Sequence, residues 1–139
     1  MADLGRVMIV DDEDVDRMLY ERILKRSGLV RDVVSCPLAT DALHYLENPA
    51  SAAVDLILLD VNMPEMSGFD FLACAEPKVL GPRRIPVILM LTTPLAPAGR
   101  ARAARHDCIQ AFFAKPLRID HLDRALDAVH QSTRLREAS

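Results

Sequence analysis

The chain has 139 residues, half of them hydrophobic and 27% charged, with a formal net charge of −3. That suits one domain with a packed core and excludes long disorder; it also lacks the basic excess usual in nucleic-acid binders. No stretch approaches the roughly 18 apolar residues of a membrane span.

The start, MADLGRVMIV, carries acid before a short apolar run and does not resemble a signal peptide. Cys36, Cys74 and Cys108 are odd in number and widely spaced. A disulfide framework or zinc site is not expected, and a reducing cytoplasm fits best.

Short apolar runs alternate with amphipathic segments along the whole chain. Val7–Val10 reads as a strand meeting acids at Asp11. From Asp14 to Ser27 the spacing of Val15, Met18, Leu19 and Ile23 predicts a helix with those residues inward, stopped at Gly28. Val30–Ser35 is β-branched and strand-like, and Ala39–Glu47 reads as a short helix with Ala42, Leu43 and Leu46 inward. The run Val54–Leu59 ends at Asp60 and suits a strand buried on both faces of a parallel sheet. Gly68–Ala75 reads as a helix that must end near Pro77. Pro86–Leu91 is another buried strand, followed by Thr92. Pro97–His106 is a helix candidate with Pro97 in its first turn. Ala111–Ala114 is a short strand before Lys115, and a last helix starts near Arg118 with Leu122, Ala125, Leu126 and Val129 inward. Five strands alternating with five helices predict an α/β fold, a doubly wound five-stranded parallel sheet with helices on both faces. The core spans residues 6–131 of a single domain, and Gln131–Ser139 reads as a short polar tail.

Asp11 and Asp12 follow the first strand, Asp60 ends the third, Thr92 follows the fourth and Lys115 follows the fifth. In a parallel sheet these carboxyl ends share one edge, where ligand crevices form. Three carboxylates there repel one another unless a cation intervenes, and hard oxygen ligands favour magnesium. A carboxylate can also act as a nucleophile and form an aspartyl-phosphate. Transfer of a phosphoryl group needs mainly positioning and charge neutralisation, which Lys115, Thr92 and a metal could supply.

With IVDDE (Ile9–Glu13), LLDVNMPEMSGFD (Leu58–Asp70), LMLTT (Leu89–Thr93) and FFAKP (Phe112–Pro116) in this order, the chain resembles the receiver domains of bacterial two-component response regulators, of which the chemotaxis regulator is the minimal example. The resemblance covers roughly Arg6 to Gln131 and implies a flavodoxin-like fold. It implies that Asp60 is the phosphoacceptor, that Asp12 holds Mg2+ directly and Asp11 through water, and that Asn62 offers its backbone carbonyl. It makes Thr92 and Lys115 the phosphoryl-sensing pair and Phe112 the switching aromatic, and places a cis bond before Pro116. The implied partners are a histidine kinase or histidine phosphotransfer protein as donor. A downstream protein, or a second receiver in a homodimer, would dock on the fourth helix, fifth strand and fifth helix. Binding to nucleic acid or membrane is not expected, and Arg100, Arg102 and Arg105 are candidates for an acidic partner. The expected function is a phosphorylation-activated signalling switch that catalyses only its own phosphoryl transfer and dephosphorylation. Thr93, Pro94 and Phe112 depart from the common pattern of alanine, a non-proline residue and tyrosine. Two other readings exist. A pseudo-receiver would usually have lost an acid or the lysine, and all are present. A small phosphatase with an Asp nucleophile would need a second Asp where Asn62 stands. The histidines His44, His106, His121 and His130 show no ligand spacing and read as surface or structural.

Overall fold

The structure, a computed structural model, describes residues 3–138. Five strands, β1 (Gly5–Val10), β2 (Val30–Cys36), β3 (Leu56–Asp60), β4 (Val87–Leu91) and β5 (Ile109–Ala114), form one sheet. Every pairing is parallel and the order is β2-β1-β3-β4-β5. The helices are α1 (Asp14–Ser27), α2 (Ala39–Glu47), α3 (Gly68–Ala75), α4 (Pro97–Ala103) and α5 (Leu122–Ala138). The expected five-strand, five-helix architecture is present.

Alternate strand residues feed two cores, one on each face of the sheet. Met8, Val10, Ile57, Leu59, Val87 and Leu89 pack with α2 and α3 on one side. Val7, Ile9, Leu56, Leu58, Ile88 and Met90 pack with α1 and α5 on the other. Burial on both faces explains why the central strands read as unbroken apolar runs.

Several elements differ from the sequence reading. Val15 and Met18 of α1 do not face the core: they are 75% and 63% exposed. Tyr20 and Leu24 are the buried residues, with Leu19 and Ile23 at the margins. The helix is rotated so that the row Asp16, Tyr20, Leu24, spaced i, i+4, i+8, turns inward; this buries the large phenol ring instead of Val15 and Met18. The α-helix Gly68–Ala75 ends before Pro77 as expected, but helicity continues past it. The chain passes through a π-helical turn at Glu76–Leu80 and a last turn at Gly81–Arg83. Pro77 sits at the start of the π turn, where the i→i+5 pattern makes no demand on its missing N–H. α4 ends at Ala103 rather than His106, whose Nδ1 instead pairs with Glu76 Oε1 at 2.7 Å. A 3-10 turn at Ile119–His121 precedes α5, so the α-helix proper begins at Leu122 and not near Arg118. The segment expected as a polar tail continues α5 to Ala138, with Ser132 buried. No helix among the described residues is long and apolar enough to cross a membrane.

Candidate functional site

The C-terminal ends of β1, β3 and β5 bring together four residues from three distant stretches of sequence. Asp11, Asp12 and Asp60 each place a carboxylate oxygen within 4.8 Å of the others. Lys115 Nζ lies 2.9 Å from Asp11 Oδ2 and 3.4 Å from Asp60 Oδ1. Asp11 is 1% exposed and both its oxygens are engaged: Oδ1 accepts the Glu13 N–H at 2.9 Å, and Oδ2 accepts from Lys115. Asp12 is only partly buried, and no described residue donates to its carboxylate. The Lys115–Pro116 bond is cis, as the resemblance implied.

Burial, and then the Asp11 charge, push the Asp60 carboxyl up to about 6; Lys115 pulls it the other way. Burial opposes the charge on Lys115, but hydrogen bonds to Asp11 and Asp16 outweigh it and hold the ammonium well above its ordinary range. One cation against several carboxylates leaves excess negative charge, which a divalent ion with oxygen ligands would offset. The residues therefore fit a magnesium ion.

The loop after Asp60 is fixed by Gly68. Its N–H donates to the Val61 carbonyl at 2.8 Å, and a Cβ on it would lie 2.5 Å from the Asp60 carbonyl oxygen. Glycine is required here by close approach and not by a positive φ. Ser67 caps α3: its Oγ accepts the Asp70 N–H, and the Asp70 carboxylate accepts the Ser67 N–H.

Met90 pairs in register with Asp60, so Thr92 lies two residues further along the edge. Thr92 and Asn62 are exposed and line one groove together with Ser67, Thr93, Pro94 and Arg102. Phe112 is 44% exposed on β5, outside the core, beside Ile109 and α4 residues Arg100 and Ala103. Two of the three arginines considered for an acidic partner are engaged within the chain. Arg100 Nη1 donates to the Leu95 carbonyl, and Arg102 donates to Asp70 Oδ1 and lies 5.0 Å from the Phe69 ring centre.

Two contributors were not legible as site residues. Asp16 Oδ2 accepts from Lys115 Nζ at 3.0 Å, although its place in the first turn of α1 reads as an acid favouring the helix N-terminus. Arg17 Nη1 donates to the Asp11 backbone carbonyl at 2.7 Å and pins the β1–α1 loop. The Asp16, Tyr20, Leu24 spacing was the available signal for the first.

The profile of the family described as "Response regulator receiver domain" matches residues 7–127. The chain belongs to the response regulator receiver family. It is 32% identical over 135 residues to the two-component response regulator ARR5 of Arabidopsis thaliana, covering 91% of this chain and 71% of that one. It is 33% identical over 131 residues to the 3',5'-cyclic-nucleotide phosphodiesterase regA of Dictyostelium discoideum, covering 91% of this chain but only 15% of that protein. The fold matches a two-component response regulator from Cytophaga hutchinsonii with a TM-score of 0.82 at 22% identity, covering 93% and 98% of the two chains. Receiver domains are typically signalling switches of two-component systems rather than conventional enzymes; they generally bind Mg2+ in an acidic pocket and interact with histidine kinases or phosphotransfer proteins.

Proposed function

We propose that Asp60 accepts a phosphoryl group from a phosphohistidine donor and that the modified receiver signals through a changed α4–β5–α5 surface. The observation that carries this is the placement of Asp60 at the end of β3, clustered with Asp11 and Asp12 and 3.4 Å from Lys115. In the transfer an Asp60 carboxylate oxygen bonds to phosphorus as the phosphorus–nitrogen bond of the donor breaks. The electron pair stays on the donor imidazole. Asp12, Asp60 and the Asn62 carbonyl would hold Mg2+; Asp11, whose oxygens are both in use, would act through water. The ion supplies charge neutralisation for the phosphoryl oxygens. Lys115 would present its ammonium to the same oxygens, and the Thr92 hydroxyl, two residues beyond the Met90 that pairs with Asp60, would meet one of them. Phe112, exposed beside α4, is the side chain best placed to report the change to a partner.

The test is incubation with acetyl phosphate and Mg2+, followed by mapping of the modified residue. The expected result is one phosphoryl group on Asp60, lost in Asp60→Asn and in excess chelator. Full labelling of Asp60→Asn would sink the assignment.

A further inference from the structure

We propose that Asp16 is a positioning residue of the phosphoryl-transfer site, holding the Lys115 ammonium off the Asp60 carboxylate so that one N–H remains for the incoming phosphoryl group. This rests on Asp60 being the acceptor.

A lysine ammonium has three donors on a flexible four-carbon stem, so its placement depends on what it is tied to. Lys115 Nζ makes two short bonds, 2.9 Å to Asp11 Oδ2 and 3.0 Å to Asp16 Oδ2. Its approach to Asp60 Oδ1 is longer, at 3.4 Å, outside the usual range for a charge-assisted bond. The two short bonds come from different elements: Asp11 from the end of β1, Asp16 from α1. Together they set the ammonium between strand edge and helix, with its third donor left toward Asp60.

Asp16 is not one of the three clustered carboxylates, and Lys115 is the only hydrogen-bond and ion-pair partner of its side chain among the described residues. It also differs from its neighbour Asp14, which is paired with Arg17 at the surface and whose side chain is 83% exposed. The Asp16 side chain is 30% exposed and that of Lys115 13%. The backbone places it firmly, because Tyr20 and Leu24, one and two turns on, are buried against the sheet. Tyr20 adds a second constraint. Its hydroxyl is buried without a hydrogen-bond partner, within electrostatic reach of Lys115. The phenol hydroxyl therefore ties up none of the ammonium's donors.

Removing Asp16 leaves Asp11 and Asp60 as the ammonium's anions. Attraction between opposite charges grows as distance shrinks, so Lys115 closes on Asp60 and occupies the carboxylate that has to attack. Phosphorylation then slows although the donor still binds. An asparagine at this position keeps an oxygen acceptor, and with it most of the placement.

The experiment measures phosphorylation by acetyl phosphate at saturating Mg2+ in parent, Asp16→Ala, Asp16→Asn, Lys115→Ala and the Asp16→Ala/Lys115→Ala double variant. Asp16→Ala should lower the maximal rate about 3- to 10-fold, the scale of one lost positioning hydrogen bond. The half-saturating acetyl phosphate concentration should stay within about twofold, the spread of a binding step left intact. Asp16→Asn should restore most of the rate, and in the Lys115→Ala background Asp16→Ala should cost nothing further. In metal-free protein the 15Nζ resonance of Lys115 should move in Asp16→Ala and stay near its parental position in Asp16→Asn. Should Asp16→Ala not fold, Asp16→Ser, whose hydroxyl is too short to reach Lys115, replaces it. A parental rate in the alanine variant overturns the inference, as does an equal loss with and without Lys115. Absence of labelling in the parent protein defeats the Asp60 reading itself.

Discussion

His121 ties the start of α5 to the sheet through its protonation state. Its ring stacks on Phe113 with centroids 4.3 Å apart, and Nδ1 accepts the Arg118 N–H at 3.1 Å. Burial, then the Arg118 charge, hold its pKa below the usual histidine range. A protonated ring carries a hydrogen on Nδ1 and cannot accept there. The folded state thus releases its proton more readily than the unfolded chain, whose histidine titrates near about 6.5. The stabilisation is complete above that pH and is lost as the pH falls from it toward the lower folded value. Between about pH 7.5 and pH 5.5 the thermal midpoint of the parent should therefore fall more steeply than that of His121→Phe, which keeps the stacking and removes the titration. Equal slopes, followed by circular dichroism, would show that another group governs this range. At this scale the sequence exposes Asp11, Asp12, Asp60 and Lys115 because each directly follows or ends an apolar run. It conceals His121 and Gly68, since stacking on a distant ring and approach to the Asp60 carbonyl depend on three-dimensional neighbours.

On the proposed mechanism, the loop from β4 to α4 should govern what reaches a phosphoryl group on Asp60. Thr93 and Pro94 are exposed and share a groove with Asn62 and Thr92. Proline brings neither a side-chain hydrogen bond nor an N–H with which to orient an attacking water, and Thr93 is bulkier than alanine at the approach. Phosphorylated protein should consequently decay slowly, and Pro94→Glu and Thr93→Ala should each speed the decay, by up to about tenfold for a change near 1.4 kcal/mol. Decay rates measured after removal of acetyl phosphate decide this; unchanged rates in both variants would disprove the access argument. The helices also show where sequence patterns fall short. α1 offers two overlapping apolar stripes, and periodicity alone cannot choose between Val15–Met18 and Tyr20–Leu24. The sheet chooses the second, and by the same rotation carries Asp16 to Lys115. Pro77 signals a helix end, but a proline at the start of a π turn interrupts no bond, so the chain stays helical to Arg83. The buried strands were legible because apolar runs bounded by polar residues leave little choice in a doubly wound sheet.

The whole molecule stores electrostatic repulsion at one edge of an otherwise well-packed sheet. Asp11, Asp12 and Asp60 converge there, and Asp60 resists ionisation through its burial first and the Asp11 charge second. Any ion that binds this cluster only in the folded state stabilises the fold by mass action. Millimolar Mg2+ should raise the thermal midpoint of the receiver, and most of the increment should vanish in Asp12→Ala. An equal increment in that variant, measured by scanning calorimetry, would place the ion elsewhere. Without Mg2+, Asp60→Asn should be more stable than the parent because it removes one of the three charges. The parallel topology has a further effect, on synthesis. The bond from Lys115 to Asp11 joins residues 104 positions apart, and that to Asp16 spans 99. Asp60 is translated well before Lys115, so a nascent chain that has not delivered β5 lacks the ammonium that stands 3.4 Å from Asp60 in the folded receiver. On the proposed mechanism, incomplete copies without that ammonium should accept phosphoryl groups more slowly than the whole receiver from the same donor.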